Sequence, residues 1–422
     1  MWFQRKAKSI EKRDFQLIMK TESDLKSNDG LEMKVALNFE EIEAVRPIWE
    51  QMQRSEPYPV PNSNIDIYLS AVKSGGEDVR PYIILVRQNG NPLTMLIGRI
   101  EKYSLKIGLG YKTLFSPRLK CLSVVYGGIL GQQKSDVYSL IIDEMSRMMS
   151  SREVDMIFFN HLKVDSDIYR VVTTKPGLLR RGRLPETEQH WSISLPGKID
   201  QLYERYSPKN RSNLRRLANR LERAYPGQIR VMTYTKQDEV QTAIDAMAII
   251  SAQTYQTQLD GGFVDNDYTR DMLKLAAKQG WLRACVLFIG EEPSAFELAL
   301  RYGKSYFGLY TGFDPKWKQF RIGTVLFLNF LESICGDPKA SFFDFGFGDA
   351  EYKRLYADRC WDESSVYVFA PRLYPILVNA LRNSTMCMNE GLDYIVSKVG
   401  AKGWIKRKWR NSMESEASKN ET

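Results

Sequence analysis

The chain has 422 residues, 43% of them hydrophobic and 26% charged, the profile of a globular protein long enough for two or three domains. A net charge of +9 and a pI near 9.1 favour anionic partners such as phosphorylated cofactors, tRNA, nucleotide sugars or an acidic membrane surface, without choosing among them. Five scattered cysteines read as reduced thiols, and neither a secretory leader nor an apolar run of about eighteen residues is visible, so a cytoplasmic protein is expected.

In chain order, residues 1–32 form a charged arm without sustained period. From Met33 the pattern predicts a short strand, a helix carrying Ile42, Val45, Ile48, Trp49 and Met52, and a second helix over 65–72. Strands are predicted at PYIILVRQ and LTMLIGRIEKY around the turn Asn89-Gly90, then at CLSVVYG and VDMIFFN with the helix SDVYSLIIDEMSRMM between them. A weak repeat follows. PYIILVRQNGNPLTMLIGRI aligns with LRACVLFIGEEPSAFELALR, and each is followed by a helix and a strand, which predicts two copies of one α/β unit.

The domains expected are the arm (1–32), an N-terminal unit (33–197), a C-terminal unit (198–370) opening on an arginine-rich helix (207–223), and C-terminal helices with a basic tail (371–422). On that helix Arg211, Arg215 and Arg216 are either contacts for phosphates or an acidic acceptor, or a solvated face opposite Leu214, Leu217 and Leu221. In the tail, Trp404 and Trp409 among Lys402, Lys406, Arg407, Lys408 and Arg410 make a patch suited to the inner face of an anionic membrane, or a plain basic tail.

Several chemistries find no support. The chain has two histidines and no closely spaced cysteine pair, so no metal is expected. No G-x-S-x-G elbow or P-loop is present, and His190 beside Trp191 reads as a strand residue.

Residues 281–370 carry the strongest pattern: three strands in succession, a loop with Arg321 and Gly323 feeding a helix, and a strand delivering Asp344 to a glycine-rich turn. The ordered set Gly312-Phe313-Asp314-Pro315, Gly323, then Asp344-Phe345, Gly348 and Tyr352-Lys353 resembles the GNAT superfamily of acyltransferases. It looks most like the CelD/BcsL-like branch associated with cellulose and exopolysaccharide biosynthesis, and it is related to Fem-type peptidyltransferases.

The resemblance implies an α/β (α+β) fold of tandem GNAT-like domains, each a mixed, mostly antiparallel sheet flanked by helices. It implies an N- or O-acyltransferase using acetyl-CoA or another acyl-CoA, with a sugar or polysaccharide-precursor acceptor and no DNA. Donor contacts fall on Tyr310, Gln319, Arg321, Ile322, Gly323 and Thr324, although Arg321 stands where the superfamily's loop has glycine, and Gly323 is alternatively a packing residue. Asp344 is a base, an orienting group or a strand-end cap; Tyr352 is an acid or a core aromatic; Asp349 and Lys353 complete the expected catalytic set. The alternatives are Fem-like transfer from aminoacyl-tRNA, which the arginine-rich helix suits, and a binding protein that has lost its chemistry.

Overall fold

The computed structural model describes residues 30–110, 112–132, 134–182, 186–254 and 262–398, apart from the side chains at 210, 215, 393 and 395–397. Most of the N-terminal arm, the Arg215 side chain and the basic tail with Trp404 and Trp409 therefore lie outside the described residues.

The first half runs β1 (Leu31–Ala36), α1 (Phe39–Ser55), α2 (Ile65–Ser74), β2 (Arg80–Gln88), β3 (Asn91–Ser104), a small hairpin of β4 (Ile107–Leu109) and β5 (Lys112–Phe115), then β6 (Arg118–Gly131), α3 (Ser135–Ser150), β7 (Met156–Lys163), α4 (Asp167–Thr174) and β8 (Glu186–Ser194). The second half runs α5 (Ile199–Glu204), α6 (Pro208–Ala224), β9 (Ile229–Tyr234), α7 (Val240–Ala252), α8 (Asp267–Lys278), β10 (Leu282–Ile289), β11 (Glu292–Tyr302) and β12 (Ser305–Phe313). It continues through α9 (Ile322–Ile334), β13 (Phe342–Phe347), α10 (Glu351–Tyr356), β14 (Arg359–Phe369) and α11 (Leu373–Lys398).

Local chemistry sets these boundaries. Asn89 and Gly90 both take positive φ, 51° and 79°, which gives the two-residue turn that matches strand twist between β2 and β3. Asn38 and Asn64 cap α1 and α2 by accepting hydrogen bonds from Glu41 N–H and from Asp66 and Ile67 N–H. Along β2 the side chains alternate: Ile83 and Leu85 pack with Trp49 and Tyr68 of α1 and α2, while Tyr82, Ile84 and Val86 pack with α3 on the other face. In the second half Cys285 and Leu287 of β10 face α9, and Ala284 and Val286 face α7 and α8. Each fully buried large aliphatic or aromatic side chain contributes roughly 1.5–3 kcal/mol, so both faces of the sheet hold helices in place.

Twelve strands form one sheet, in the order β1-β2-β3-β6-β7-β14-β8-β13-β12-β11-β10-β9. Reading inward from either edge gives the same succession: four antiparallel strands, a helical crossover and a parallel fifth strand, β6–α3–β7 in one half and β12–α9–β13 in the other. The fold is thus mixed α/β, mostly antiparallel and flanked by helices, as the family resemblance implies. The sixth strands are exchanged. β8, from the first half of the chain, pairs with β13, and β14, from the end of the second, pairs with β7. β8 and β14 pair with each other and close the seam.

Candidate active site

β12 and β13 pair in parallel over three positions only, ending at Phe307 opposite Asp344, after which the strands separate. The register between β11 and β12 slips at the same level, with Leu298 opposite Tyr310 and Ala299 opposite Gly308, so Leu309 is the extra residue of a bulge that bends β12 away. The separation opens a cleft of about 510 Å³, walled by residues 307–311 of one strand and 343–347 of the other. Beyond Phe307 the edge of β12 facing β13 has no strand partner among the described residues, and residues 308–311 on that strand border the cleft. Gly308 keeps the approach of the strands close: a Cβ would sit 3.0 Å from the Phe343 ring and 3.3 Å from the Asp344 carbonyl oxygen, so either neighbour would have to give by a few tenths of an ångström.

Asp344 closes the inner end of the cleft and is 2% exposed. Its Oδ1 accepts hydrogen bonds from His190 Nε2 at 2.7 Å and from the N–H of Gly346 at 2.6 Å, the latter an Asx-type turn that Gly346 permits with φ 68°. Its Oδ2 accepts from the Tyr58 hydroxyl at 2.6 Å. His190 is sandwiched, stacked on Trp361 at 4.4 Å and meeting Phe347 edge-on at 4.7 Å. On its other side Glu363 Oε2 stands 3.8 Å from Nδ1, and the Tyr126 hydroxyl 3.5 Å. Glu363 is held in turn by the Trp361 indole N–H at 2.5 Å. Burial opposes the imidazolium, but the hydrogen bonds and charges of Asp344 and Glu363 outweigh it, and the His190 pKa is pushed up to about 9.

Glu297 on β11 also lines the cleft, 6% exposed between the apolar residues Ala295-Phe296 and Leu298-Ala299-Leu300, and burial pushes its carboxyl up to about 8. Tyr352 on α10 lines the opposite wall, its ring against Phe327 and Phe345, and burial raises its hydroxyl pKa. Lys353 is buried beside it; its ammonium donates to the carbonyls of Gly346 and Phe347 and so braces the glycine turn. Burial lowers the Lys353 pKa.

The residues expected from sequence divide. Asp344, Tyr352, Lys353 and Tyr310 line the cleft. Asp349 does not; it makes a two-point ion pair with Arg354 outside it. Gln319 and Arg321 are exposed, Ile322 is buried in the core against α6, and Gly323 and Thr324 are half-buried in the first turn of α9. A 3-10 turn (Pro315–Phe320) leads into that helix and docks on α6 through Trp317, Phe320 and Tyr225. Arg321 then takes a left-handed conformation, φ 53° and ψ 43°, where a glycine would be unstrained. Arg211 and Arg216 line a separate shallow groove on α6 with Arg220 and Arg223, sharing no residue with the cleft.

The sequence reading missed Glu297, Tyr58, Tyr126 and Glu363, and placed His190 in a strand without seeing its partners. A usable signal existed for Glu297 alone, a single carboxylate inside the apolar run SAFELAL. The others depend on contacts such as that of His190 with Asp344, 154 residues apart.

Comparison with known proteins bears on the fold. No curated protein matches the sequence. Among solved structures, FemX superposes with a TM-score of 0.53 at 12% identity, over 80% of this chain and 98% of its own. A tandem GNAT protein from the clavulanic acid biosynthesis pathway gives 0.49 at 10% identity, over 81% and 100%. The C-terminal domain of a putative lysylphosphatidylglycerol synthetase from Agrobacterium fabrum gives 0.46 at 11%, over 82% and 96%. Residues 208–354, which contain β9–β13 and most of α10, match the family model described as an acetyltransferase (GNAT) domain, set in a chain that shares the fold of FemX.

Proposed function

We propose that the protein is an acyltransferase that takes its acyl group from acyl-CoA, acetyl-CoA being the simplest donor, and passes it to an amine or hydroxyl. The observation that carries this reading is the separation of β12 from β13 after Phe307 and Asp344, which leaves an unpaired strand edge beside Glu297 and Tyr352. An extended amide-bearing donor arm completes such an edge by strand-like hydrogen bonds. Its phosphates fall toward the first turn of α9, where the helix dipole and the Arg321 guanidinium favour negative charge.

Glu297 is the base. Its carboxyl, pushed up to about 8 by burial, takes the proton from the acceptor nitrogen or oxygen as that nitrogen or oxygen attacks the thioester carbon. The Tyr352 hydroxyl supplies a proton to the departing thiolate, and N–H groups on the free edge of β12 stabilise the oxygen that gains charge. Asp344 receives three hydrogen bonds and is a positioning group: with His190 and Tyr58 it fixes the inner end of the cleft. The acceptor enters from the side of Tyr126 and Asn160. In keeping with the CelD/BcsL-like resemblance, it is a sugar or cell-envelope polysaccharide precursor, modified on the cytoplasmic side.

Calorimetric titration with acetyl-CoA, longer acyl-CoAs and free CoA tests the donor. Saturable binding that survives Glu297→Gln, together with loss of transfer, supports the reading; no binding to any CoA species overturns it. The four arginines of the α6 groove favour one rival, transfer from aminoacyl-tRNA. Salt-dependent tRNA binding, lost in Arg211→Gln/Arg216→Gln, in a protein indifferent to CoA would establish that rival instead.

A further inference from the structure

Ser364 follows Glu363 on β14 and so faces away from His190, toward a second cavity of about 720 Å³ between β14, α4, the segment 178–182 and α11. The cavity contains Arg382, 4% exposed, whose Nη2 donates to Glu186 at 2.5 Å and whose guanidinium lies over the Tyr367 ring at 4.4 Å. Its Nη1 and the fully buried Ser364 Oγ have no hydrogen-bond partner among the described residues. Two donors left open in one buried place are what an anionic oxygen satisfies, because an unpaired buried N–H is otherwise costly.

The mouth of this cavity is apolar: Leu178 and Leu179 line it while 78% and 73% exposed. From there α11 runs outward with Leu373, Leu377, Leu381, Met388 and Leu392 exposed along one face, a stripe about 29 Å long at 1.5 Å per residue. Ala380 and Ser384 belong to the cavity lining and to this face alike. No described exposed residue on the stripe is charged, and no described helix is long and apolar enough to cross a membrane. The sequence that follows α11 carries Lys402, Trp404, Lys406, Arg407, Lys408 and Trp409.

We propose that this cavity and helix face dock the protein on an anionic lipid surface. A headgroup phosphate enters toward Arg382 Nη1 and Ser364 Oγ, while acyl chains cover Leu178, Leu179 and the α11 stripe. A free anion would account for the open donors but not for the leucines at the mouth. A second copy of the chain would cover the stripe but leave Arg382 Nη1 and Ser364 Oγ without partners. The basic, tryptophan-bearing sequence beyond α11 has the composition of an interfacial anchor, so charge and apolar surface favour the same occupant. The interaction is independent of acyl transfer and is read without any donor.

The test is flotation of the full chain with vesicles of phosphatidylcholine alone and of phosphatidylcholine with phosphatidylglycerol, with light scattering of the lipid-free protein alongside. Wild type is expected to float with the anionic vesicles only. Leu377→Asp/Leu381→Asp, at exposed positions that folding does not need, is expected to weaken this by about tenfold. Arg382→Met is expected to lose the preference for phosphatidylglycerol; if that variant does not fold, Leu178→Asp/Leu179→Asp replaces it and is expected to weaken flotation in the same way. Wild type that stays in solution, or leucine variants that float normally, would overturn the proposal. So would stabilisation by inorganic phosphate without vesicle binding, or a dimer that the leucine variants make monomeric.

Discussion

The hydroxyl of Tyr58 donates to Oδ2 of Asp344 at 2.6 Å, joining residues 286 apart and linking the loop after α1 to the inner end of the cleft in the other half. Tyr58→Phe leaves that oxygen buried without its donor. The expected loss is about 1–3 kcal/mol in urea unfolding, with a fall in kcat that exceeds any change in donor affinity.

Glu297 should govern the pH dependence of both rate and stability. Its folded pKa, near 8, is above its ordinary value of 4.5, so the penalty for charging it is absent below about 4.5 and grows as pH rises through 8. Transfer is therefore expected to rise with pH toward a plateau above 8, while the wild-type melting temperature falls over the same window. Glu297→Gln should lower kcat by about 10²–10⁴ and flatten the stability profile between about pH 4.5 and 6.5, leaving the loss that His190 causes above that interval. A variant that keeps the wild-type pH–rate curve would remove Glu297 from the proposed role.

His190 titrates in a separate way. Its folded pKa is raised from 6.5 to about 9, so its stabilising contribution is complete below 6.5 and is lost as pH rises through 9, at about 1.4 kcal/mol for each pH unit of that interval. Because the ring stacks on Trp361, the difference in fluorescence between wild type and Trp361→Phe should change with a midpoint near 9. A midpoint near 6.5 would mean that the two carboxylates do not hold the proton.

Arg321 separates folding from donor binding. Replacing it with glycine relieves a left-handed backbone, a gain that the extra freedom of glycine in the unfolded chain reduces to about 0.5–1 kcal/mol. If its guanidinium meets the donor phosphates, Arg321→Gly should be more stable and yet bind acyl-CoA more weakly. Both quantities come from one thermal-shift series with and without donor.

Much of the fold was legible because periodicity is local. The turn at Asn89-Gly90, the helices over 39–55 and 135–150, and the strand succession from 282 to 313 all follow from alternation, caps and turn residues. What was not legible depends on partners far away in the chain. β8 and β14 have unremarkable strand patterns, and nothing in either states that it completes the other half of the sheet. Asp344 stood out beside its glycines, whereas His190 and Tyr58, which fix it, carry no local mark. The C-terminal helices expected after residue 371 are, among the described residues, one helix: α11 runs through Gly391 at an exposed position, because one glycine costs a helix only about 1 kcal/mol.

The exchange of β8 and β14 also constrains how the chain is made. The first half cannot finish its sheet when residue 194 leaves the ribosome, since the strand that pairs with β7 ends at Phe369. β7 must wait, with its outer edge open, while most of the second half is synthesised. A cut between the two halves of the chain would leave each of them short of the strand that the other contributes to its side of the sheet.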